Sequence, residues 1–373
     1  MSAVARIAFP GEVRFAVLPP LALYVHLPWC ARKCPYCDFN SHERSEALPE
    51  REYITALLSD LEAMLPSVWG RRVVSIFIGG GTPSLFSPEA IERLLSEIRA
   101  RIGVEPIAEI TLEANPGTVE AARFRGYRAA GVNRLSLGVQ SFDDAMLGRL
   151  GRIHSADEAR RAIDIAQQTF DNVNIDLMYG LPGQTLAMAR ADIEEGAGFG
   201  TPHLSAYQLT IEPNTVFFAH PPKLPGHDAA ADMQLAVEEI LRGAGFEHYE
   251  TSVFAKPGRR CRHNLNYWEF GDYLGIGAGA HGKLSFADRV TRHEQVRQPR
   301  EYLTAGGAVP QRAIPVRELP FEFALNAFRL IEGFSTGLYS ERAGLPAMTI
   351  EHALRAAEAG GLIEINEKRI KPT

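Results

Sequence analysis

The segment WCARKCPYCDFN places three cysteines, Cys30, Cys34 and Cys37, within eight positions. Structural zinc takes four ligands, usually as two close pairs, and His42 is the nearest candidate for a fourth here. A redox dithiol would use two of the thiols and leave the first without a role. An iron–sulfur cube of four irons needs a ligand at each corner, so three thiolates leave one iron open to a cofactor or substrate. The count of three favours the cube over the zinc site and the dithiol.

A run of glycines follows the next predicted strand, in GGGTPS at 79–84. Glycine lets backbone approach a ligand without a Cβ clash and adopts positive φ at little cost. Many strand–helix turns contain glycine, so the run is weak evidence alone. Together with the cysteine loop one strand earlier, it predicts a ligand site shared by both loops.

The bulk composition limits the class of protein. Among 373 residues, 46% are apolar and 23% charged, with a net charge of −6, which predicts a soluble globular chain and no general attraction to nucleic acid. Four cysteines are too few for a disulfide scaffold. Pro19 and Pro20 interrupt FAVLPPLALYV, so we expect no signal peptide and no membrane span, while peripheral membrane contact stays open. The expected compartment is the reducing cytosol.

Short apolar segments rich in β-branched residues alternate with helical patterns over the first 211 residues. A helix start is predicted at Ser87 with Pro88 in the first helical position, and a capping box at Ser155 and Glu158 marks another. Six β–α units in succession predict a parallel sheet covered on both faces, as an open doubly wound sheet or a barrel. The predicted strands are 21–27, 73–79, 107–113, 133–140, 173–180 and 204–211.

Polar residues lie at or near the C-terminal ends of four successive predicted strands: Glu113, Gln140, Asp176 and Gln208. Barrels carry their chemistry at that end of the strands. Each residue alone is equally well explained as a helix cap or a solvated strand end. As a set, they favour a barrel with one shared cavity.

The pattern changes beyond residue 211. A helix is predicted over about 229–242, followed by a mixed segment with HNLNYW and the glycine-rich GIGAGAHG. Residues 315–373 have helical patterns that end in a predicted hairpin, similar to a winged helix. Since no basic face accompanies it, this region does not predict DNA binding.

Several motifs together resemble one family: YVHLPWCARKCPYCDFNSH, GGGTPS, LEANPGT, LSLGVQSF, DLMYGLPGQT and HNLNYW. They resemble radical S-adenosylmethionine proteins of the oxygen-independent coproporphyrinogen oxidase group, and within it most the HemW-type haem chaperones. The implied fold is α/β, an incomplete (β/α)6 barrel followed by a smaller, mostly helical C-terminal domain. The implied divisions are an N-terminal extension at 1–20, the barrel at 21–215, a linking segment at 216–310 and the C-terminal domain at 311–373.

The resemblance also implies roles for individual residues. Cys30, Cys34 and Cys37 would ligate a [4Fe-4S] cluster whose fourth iron binds S-adenosylmethionine. The implied chemistry is one-electron cleavage of the sulfonium, which the cofactor itself supplies. The implied cofactor contacts are Tyr24, Tyr36, Gly80, Gly81, Thr82, Glu113, Gln140, Arg152, Asp176 and, less securely aligned, Thr210.

Two features bear on which branch of the family applies. The oxidases carry a fourth cysteine where this chain has Phe39, and a longer segment before the residue corresponding to Tyr24. HNLNYW marks the haem-chaperone branch, which implies haem contacts by His263, as an axial ligand, and by Tyr267 and Trp268. Without the resemblance, a His-Asn pair in a turn and two interface aromatics would be the simpler interpretation.

Two functions are therefore compared. The first is a haem chaperone that holds haem, a cluster and S-adenosylmethionine and delivers haem to acceptor proteins, with a low-potential electron donor as a further partner. The second is an enzyme that decarboxylates coproporphyrinogen III by radical hydrogen abstraction. Phe39 and HNLNYW favour the first. Cys261 and His26 are interpreted mainly as packing residues, and His281 as an even choice between cavity and turn.

Overall fold

The structure is a computed structural model that describes residues 12–44, 46–118, 121–305, 307 and 309–373. Of the predicted N-terminal extension, residues 1–11 lie outside this range. The strands are β1 Leu21–Leu27, β2 Trp29–Cys30, β3 His42–Glu43, β4 Arg72–Gly80, β5 Gly103–Ala114, β6 Arg134–Gln140, β7 Val173–Tyr179, β8 His203–Gln208, β9 Glu247–Glu250, β10 Val253–Ala255, β11 Asp272–Ile276, β12 His281–Phe286, β13 Arg289–Glu294, β14 Arg312–Ala313, β15 Phe334–Ser335, β16 Ile363–Ile365 and β17 Arg369–Pro372.

Helices cover the sheet and form most of the C-terminal region. They are α1 Glu50–Met64, α2 Pro88–Arg101, α3 Ala121–Ala130, α4 Asp144–Arg149, α5 Ala156–Thr169, α6 Leu186–Gly198, α7 Val216–Ala219, α8 His227–Gly243, α9 Arg262–Trp268, α10 Pro299–Ala305, α11 Leu319–Ala327, α12 Leu338–Ala343 and α13 Met348–Ala359. None of the helices in the described ranges is both long and apolar enough to cross a bilayer.

Local sequence signals explain where several helices begin. The Ser87 hydroxyl accepts a hydrogen bond from the backbone N–H of Ala90, with Pro88 in the first turn of α2. Ser155 and Glu158 form the predicted capping box of α5, which satisfies two backbone N–H groups that a helix start leaves without partners. These helix starts required no long-range contact to predict.

One sheet of twelve strands, in the order β14-β13-β12-β11-β1-β4-β5-β6-β7-β8-β10-β9, organises the described residues. The six predicted strands pair in parallel as β1-β4-β5-β6-β7-β8. This confirms the predicted α/β class with its incomplete barrel. Strand β8 ends at 208 rather than 211, and Leu209 after it packs in an apolar cluster with Met178 and Phe217.

A seventh parallel strand was not predicted. Strand β11 pairs with β1 from Leu21 opposite Asp272 to Val25 opposite Ile276, and β12, β13 and β14 continue the sheet in antiparallel order. Its sequence DYLGI is short and contains glycine, so it lacks a strand pattern. Gly275 is required there because a Cβ would overlap the backbone of His281.

The inner face of the parallel strands is polar, while helices bury the outer face. Side chains alternate along a strand, so Glu109 and Thr111 share the inner face of β5 with Glu113. Arg134 on β6 and His203 on β8 are also buried inside. Helix α9 lies against this face, in contact with β1, β4 and β11. The barrel interior is therefore filled by α9 at the starts of the strands and open at their ends.

The C-terminal region has its own apolar core, formed among others by Phe323, Tyr339 and Ile350. Strands β15, β17 and β16 form a small antiparallel sheet, and β16 with β17 is the predicted terminal hairpin. The segment that precedes this small sheet hydrogen bonds to the chain at the edge of the large sheet, where the N–H of Thr251 donates to the carbonyl of Arg329. This contact brings a C-terminal residue next to the barrel.

Candidate functional site

A cavity of about 580 Å³ lies at the C-terminal ends of the parallel strands. Glu113, Gln140, Asp176 and Gln208, the four polar strand-end residues, all line it, as the strand pattern predicted. Predicted site residues that line it are Cys30, Cys34, Tyr36, Cys37, Gly80, Gly81, Thr82, Glu113, Gln140, Arg152, Asp176 and Thr210. Their roles as ligands stay predictions, but the fold brings them together.

The cysteine loop leaves β1 and folds back on itself. The N–H of Cys37 donates to the carbonyl of Cys34 at 3.1 Å, which closes a tight turn between two of the thiols. Lys33 Nζ donates to the carbonyls of Phe39 and Ser41 at 3.3 and 3.0 Å. The loop thus holds its three thiols at the cavity wall by backbone and lysine contacts.

Polar side chains lie beside the thiols. Arg152 Nη1 lies 3.7 Å from Cys34 Sγ, and Ser41 Oγ lies 3.7 Å from Cys37 Sγ. Burial raises the pKa of Cys30 and of Cys37 in the metal-free protein. A bound metal reverses this effect, because coordination deprotonates a thiol. Hydrogen bonds to sulfur are also among the factors that tune a cluster.

The donor set fits an iron–sulfur cluster. Three partly buried thiols face one cavity, as a cube held at three corners requires. Nowhere in the described ranges do three His, Cys, Asp or Glu side chains converge closely enough to bind a single metal ion.

The glycine segment is shaped by its neighbours. Gly80 has φ of +116°, and a Cβ there would lie 2.6 Å from the ring of His26. A Cβ on Gly81 would lie 2.5 Å from the carbonyl oxygen of Trp29. Both positions therefore need glycine, and the Thr82 N–H donates to the same Trp29 carbonyl at 2.8 Å. The segment is packed directly on the start of the cysteine loop.

Two carboxyl groups lie on the cavity floor. Glu113 Oε2 accepts a hydrogen bond from the N–H of Gly80 at 3.0 Å. Burial and, to a smaller extent, the nearby Asp176 carboxylate together raise the pKa of Glu113 to about 8. Burial also raises the pKa of Asp176, although Ser136 and Asn174 donate hydrogen bonds to it at 3.0 and 2.7 Å. Such a pair is suited to a ligand with a protonated amine, whose charge would favour ionised carboxylates.

Gln140 and Arg152 complete the polar wall. Gln140 has φ of +74°, uncommon for a residue with a Cβ, and its Oε1 accepts the hydroxyl of Tyr207 at 2.7 Å. Arg152 Nη2 donates to the carbonyl of Gly138, which fixes the guanidinium over β6. Strained backbone at a cavity is typical of functional sites. Thr210 lies at the rim, its hydroxyl donating to Glu212 at 2.8 Å.

Four predicted site residues do not line the cavity: Tyr24, His263, Tyr267 and Trp268. The Tyr24 hydroxyl forms a hydrogen bond of 3.0 Å with His26 Nδ1, behind the glycine segment. His263 is 1% exposed, and its ring lies between those of Phe77 and Tyr267. His263 could ligate haem iron only if α9 left the barrel interior.

Helix α9 is held firmly in that interior. Glu109 Oε1 accepts hydrogen bonds from the N–H groups of Arg262 and His263 at 3.0 and 3.2 Å, which satisfies the start of the helix. Ser75 Oγ bonds to His263 Nδ1 at 3.0 Å. Burial and, to a smaller extent, the positive charge of Arg134 together lower the pKa of His263 to about 3. The imidazole is therefore neutral.

Residues outside the predicted set of contacts also line the cavity. Asn264 reaches it from α9, and Arg329 reaches it from the C-terminal region. Arg329 lies 4.3 Å from the centre of the Trp268 ring and 3.2 Å from Glu250 Oε2. Arg329 lies just after α11, and no local pattern distinguishes this arginine from others in the sequence.

Neither Cys261 nor His281 lines the cavity. Cys261 is buried, with Sγ 3.3 Å from Glu109 Oε1. His281 has a side chain 57% exposed, 3.7 Å from Glu294.

Comparisons with known proteins agree with this geometry. Residues 24–195 match the radical SAM superfamily, and residues 314–373 match the HemN C-terminal domain. The chain is 50% identical over 343 residues to heme chaperone HemW of Haemophilus influenzae, covering 90% of both chains. It is 49% identical over 348 residues to heme chaperone HemW of Escherichia coli, covering 93% of this chain and 92% of the relative.

A solved structure supports the fold alone. Coproporphyrinogen III oxidase (HemN) of Escherichia coli, a radical SAM enzyme, superposes with a TM-score of 0.79 at 24% identity, covering 95% of this chain and 87% of that one. The superfamily's cofactors, a [4Fe-4S] cluster and S-adenosylmethionine, correspond to the three-thiol loop and the polar cavity beside it. On these grounds, the chain belongs to the radical SAM superfamily and, within it, to the HemW family.

Proposed function

We propose that this protein is a haem chaperone that binds haem together with a [4Fe-4S] cluster and S-adenosylmethionine and delivers the haem to acceptor proteins. One observation carries the proposal: identity is 49–50% to proteins named heme chaperone over 90% or more of the chain, against 24% to the oxidase of the same fold. The site agrees, because Phe39 is 59% exposed at the cavity where the oxidases carry a fourth cysteine.

Different residues of the cavity would bind the cluster and the two ends of S-adenosylmethionine. The three cysteines would hold the cluster, and Gly80, Glu113 and Asp176 would receive the amino end of S-adenosylmethionine. Arg152, fixed on the carbonyl of Gly138, would face its carboxylate. When bound, the cluster and its cofactor supply one-electron chemistry, for which we propose a low-potential donor protein.

Haem would contact the open side of the cavity. There the guanidinium of Arg329 lines the cavity and stacks on Trp268, the last residue of HNLNYW. Arg329 therefore lies between this motif and the cavity. A guanidinium is a good partner for a haem propionate. We propose Arg329 as that contact, and retain His263 as an iron ligand only for a state in which α9 has moved.

The alternative is oxidative decarboxylation of coproporphyrinogen III. The shared cavity and cysteine loop are compatible with it, and Phe39 disfavours it. We propose a reducing compartment, the cytosol, because cluster ligands must stay reduced. Transient contact with a membrane surface would be compatible with delivery to membrane-bound acceptors.

One anaerobic preparation tests the two functions side by side. Reconstituted protein is titrated with haem and assayed with coproporphyrinogen III. We expect stoichiometric haem binding and no protoporphyrinogen. Turnover comparable to a genuine oxidase, or failure to bind haem, would overturn the chaperone function.

A further inference from the structure

Asn40 lies just after the cysteine loop and connects it to a distant turn. Its Nδ2 donates to the carbonyl of Ala278 at 2.8 Å and to that of Arg297 at 2.9 Å. A side-chain amide has two N–H donors, so both are satisfied by backbone. The loop therefore ends in a side chain tied to residues more than 230 positions away in sequence.

The receiving turn is the glycine-rich segment that the site did not explain. Gly277 and Gly279 have φ of +106° and +76°, and a Cβ on Gly279 would overlap the side-chain amide of Asn40. Helix α1 braces the turn: the N–H of Gly277 donates to Asp60 Oδ2 at 3.0 Å, and the N–H of Ala278 donates to the Tyr53 hydroxyl at 2.9 Å. These contacts hold the turn in a conformation that accommodates the Asn40 side chain.

The backbone of Asn40 is fixed as well. His26 Nε2 lies 2.9 Å from its carbonyl oxygen, which can only accept, so Nε2 carries the proton. Nδ1 of the neutral ring then accepts from the Tyr24 hydroxyl. The same ring packs on Gly80, whose N–H donates to Glu113. One imidazole therefore touches both the end of the cysteine loop and the glycine segment.

We infer that Asn40 is a positioning residue: seated in the Gly277–Gly279 turn and bonded to His26, it sets the distance between the three thiols and the Gly80–Thr82 segment. This inference rests on the proposed cluster and cofactor. It assigns a role to GIGAGAHG, which acts through Asn40 rather than by contact with a ligand. It also explains why His26 lies behind the site without being a metal ligand.

The test compares Asn40→Asp with a matched control. Asn40→Asp keeps the shape but replaces the two donors with a carboxylate facing two carbonyl oxygens. Asn133→Asp is the control, because Asn133 also bridges backbone groups, donating to Ala108 and accepting from Ile110 at 2.8 Å, outside the cavity lining. Both full-length variants are reconstituted anaerobically beside the wild type.

Three quantities are measured: the rate of iron loss to a chelator, the electron paramagnetic resonance spectrum of the reduced cluster with and without S-adenosylmethionine, and Tm. For Asn40→Asp we expect at least about tenfold faster iron loss and a diminished spectral response to S-adenosylmethionine. For Asn133→Asp we expect a lower Tm with wild-type iron loss and spectrum. If Asn40→Asp does not fold, Asn40→Ala removes the same donors without adding charge.

Unchanged rates and spectra in the Asn40 variants would overturn the inference, as would equal changes in Asn133→Asp, which would indicate general destabilisation. Absence of a cluster in the wild type would instead overturn the proposed function. The two failures are therefore distinguishable in one experiment.

Discussion

The cysteine loop and the HNLNYW helix are both marked by family motifs, yet the fold uses them differently. All three cysteines of the loop line the cavity, whereas Asn264 is the member of α9 that does so among the described residues. The loop lies where the chain leaves the sheet at the C-terminal strand ends. Helix α9 lies against the inner face of the sheet, where the His263 ring hydrogen bonds to Ser75 and the His263 N–H donates to Glu109. A motif can therefore mark the scaffold of a site as well as its ligand contacts.

Burial shifts the pKa values of ionisable groups in the two regions in opposite directions. Burial keeps a proton on Glu113 at the cavity floor near neutral pH, since its pKa is raised to about 8. Burial keeps the proton off His263 in α9, since its pKa is lowered to about 3. Both groups are neutral in the free protein. A cationic ligand can reverse this only at Glu113, because only Glu113 faces the cavity.

The largest effect is expected at the cysteine loop. Cys34→Ala removes one corner of the cluster and should abolish the brown iron–sulfur absorbance after anaerobic reconstitution, measured with iron content. Cys261→Ala is the control, because this thiol is buried away from the cavity and should leave the cluster intact. Full iron content in Cys34→Ala would contradict the ligand assignment.

The pH dependence of stability should distinguish the cavity floor from α9. The folded state holds a proton on Glu113 that the unfolded chain releases above about pH 4.5, so this group lowers the free energy of unfolding as pH rises from about 4.5 to about 8. Glu113→Gln should remove that fall, worth up to a few kcal/mol, in urea unfolding of the cofactor-free protein. Parallel wild-type and variant profiles would show that Glu113 ionises normally.

His263→Ala should act on stability rather than on haem. Loss of a buried ring and its hydrogen bond to Ser75 should cost about 2–4 kcal/mol in urea unfolding, with haem stoichiometry unchanged. His281→Ala, at a mostly exposed side chain, should cost less than about 0.5 kcal/mol. Loss of haem binding by a His263→Ala protein of wild-type stability would mean that α9 moves to expose this ligand.

The smallest effect is expected at the open side of the cavity. Arg329→Gln should weaken haem binding about tenfold, or about 1.4 kcal/mol, and leave binding of the haem dimethyl ester unchanged, because the ester has no propionate charge. Arg289→Gln is the matched control, since Arg289 also stacks on an aromatic ring and pairs with a carboxylate, but outside the cavity lining. Equal losses for haem and its ester would assign Arg329 a packing role only.

The sequence by itself determined the features whose causes are local. The spacing of the cysteines, the helix caps at Ser87 and Ser155, and the six apolar strand segments all depend on neighbours within a few residues. Strand-end polarity further predicted the shared cavity, because parallel strands must end on one side. The identity of the family followed from motifs of this local kind.

Only the tertiary structure decided what depends on distant contacts. Strand β11 pairs with β1 from about 250 residues away, Asn40 meets Ala278, and Arg329 lines the cavity while its backbone carbonyl accepts from the N–H of Thr251. The burial of His263 likewise depends on the sheet that α9 fills. No local periodicity encodes such pairings, because the free energy that selects them comes from burial and hydrogen bonding between segments that are far apart in the chain.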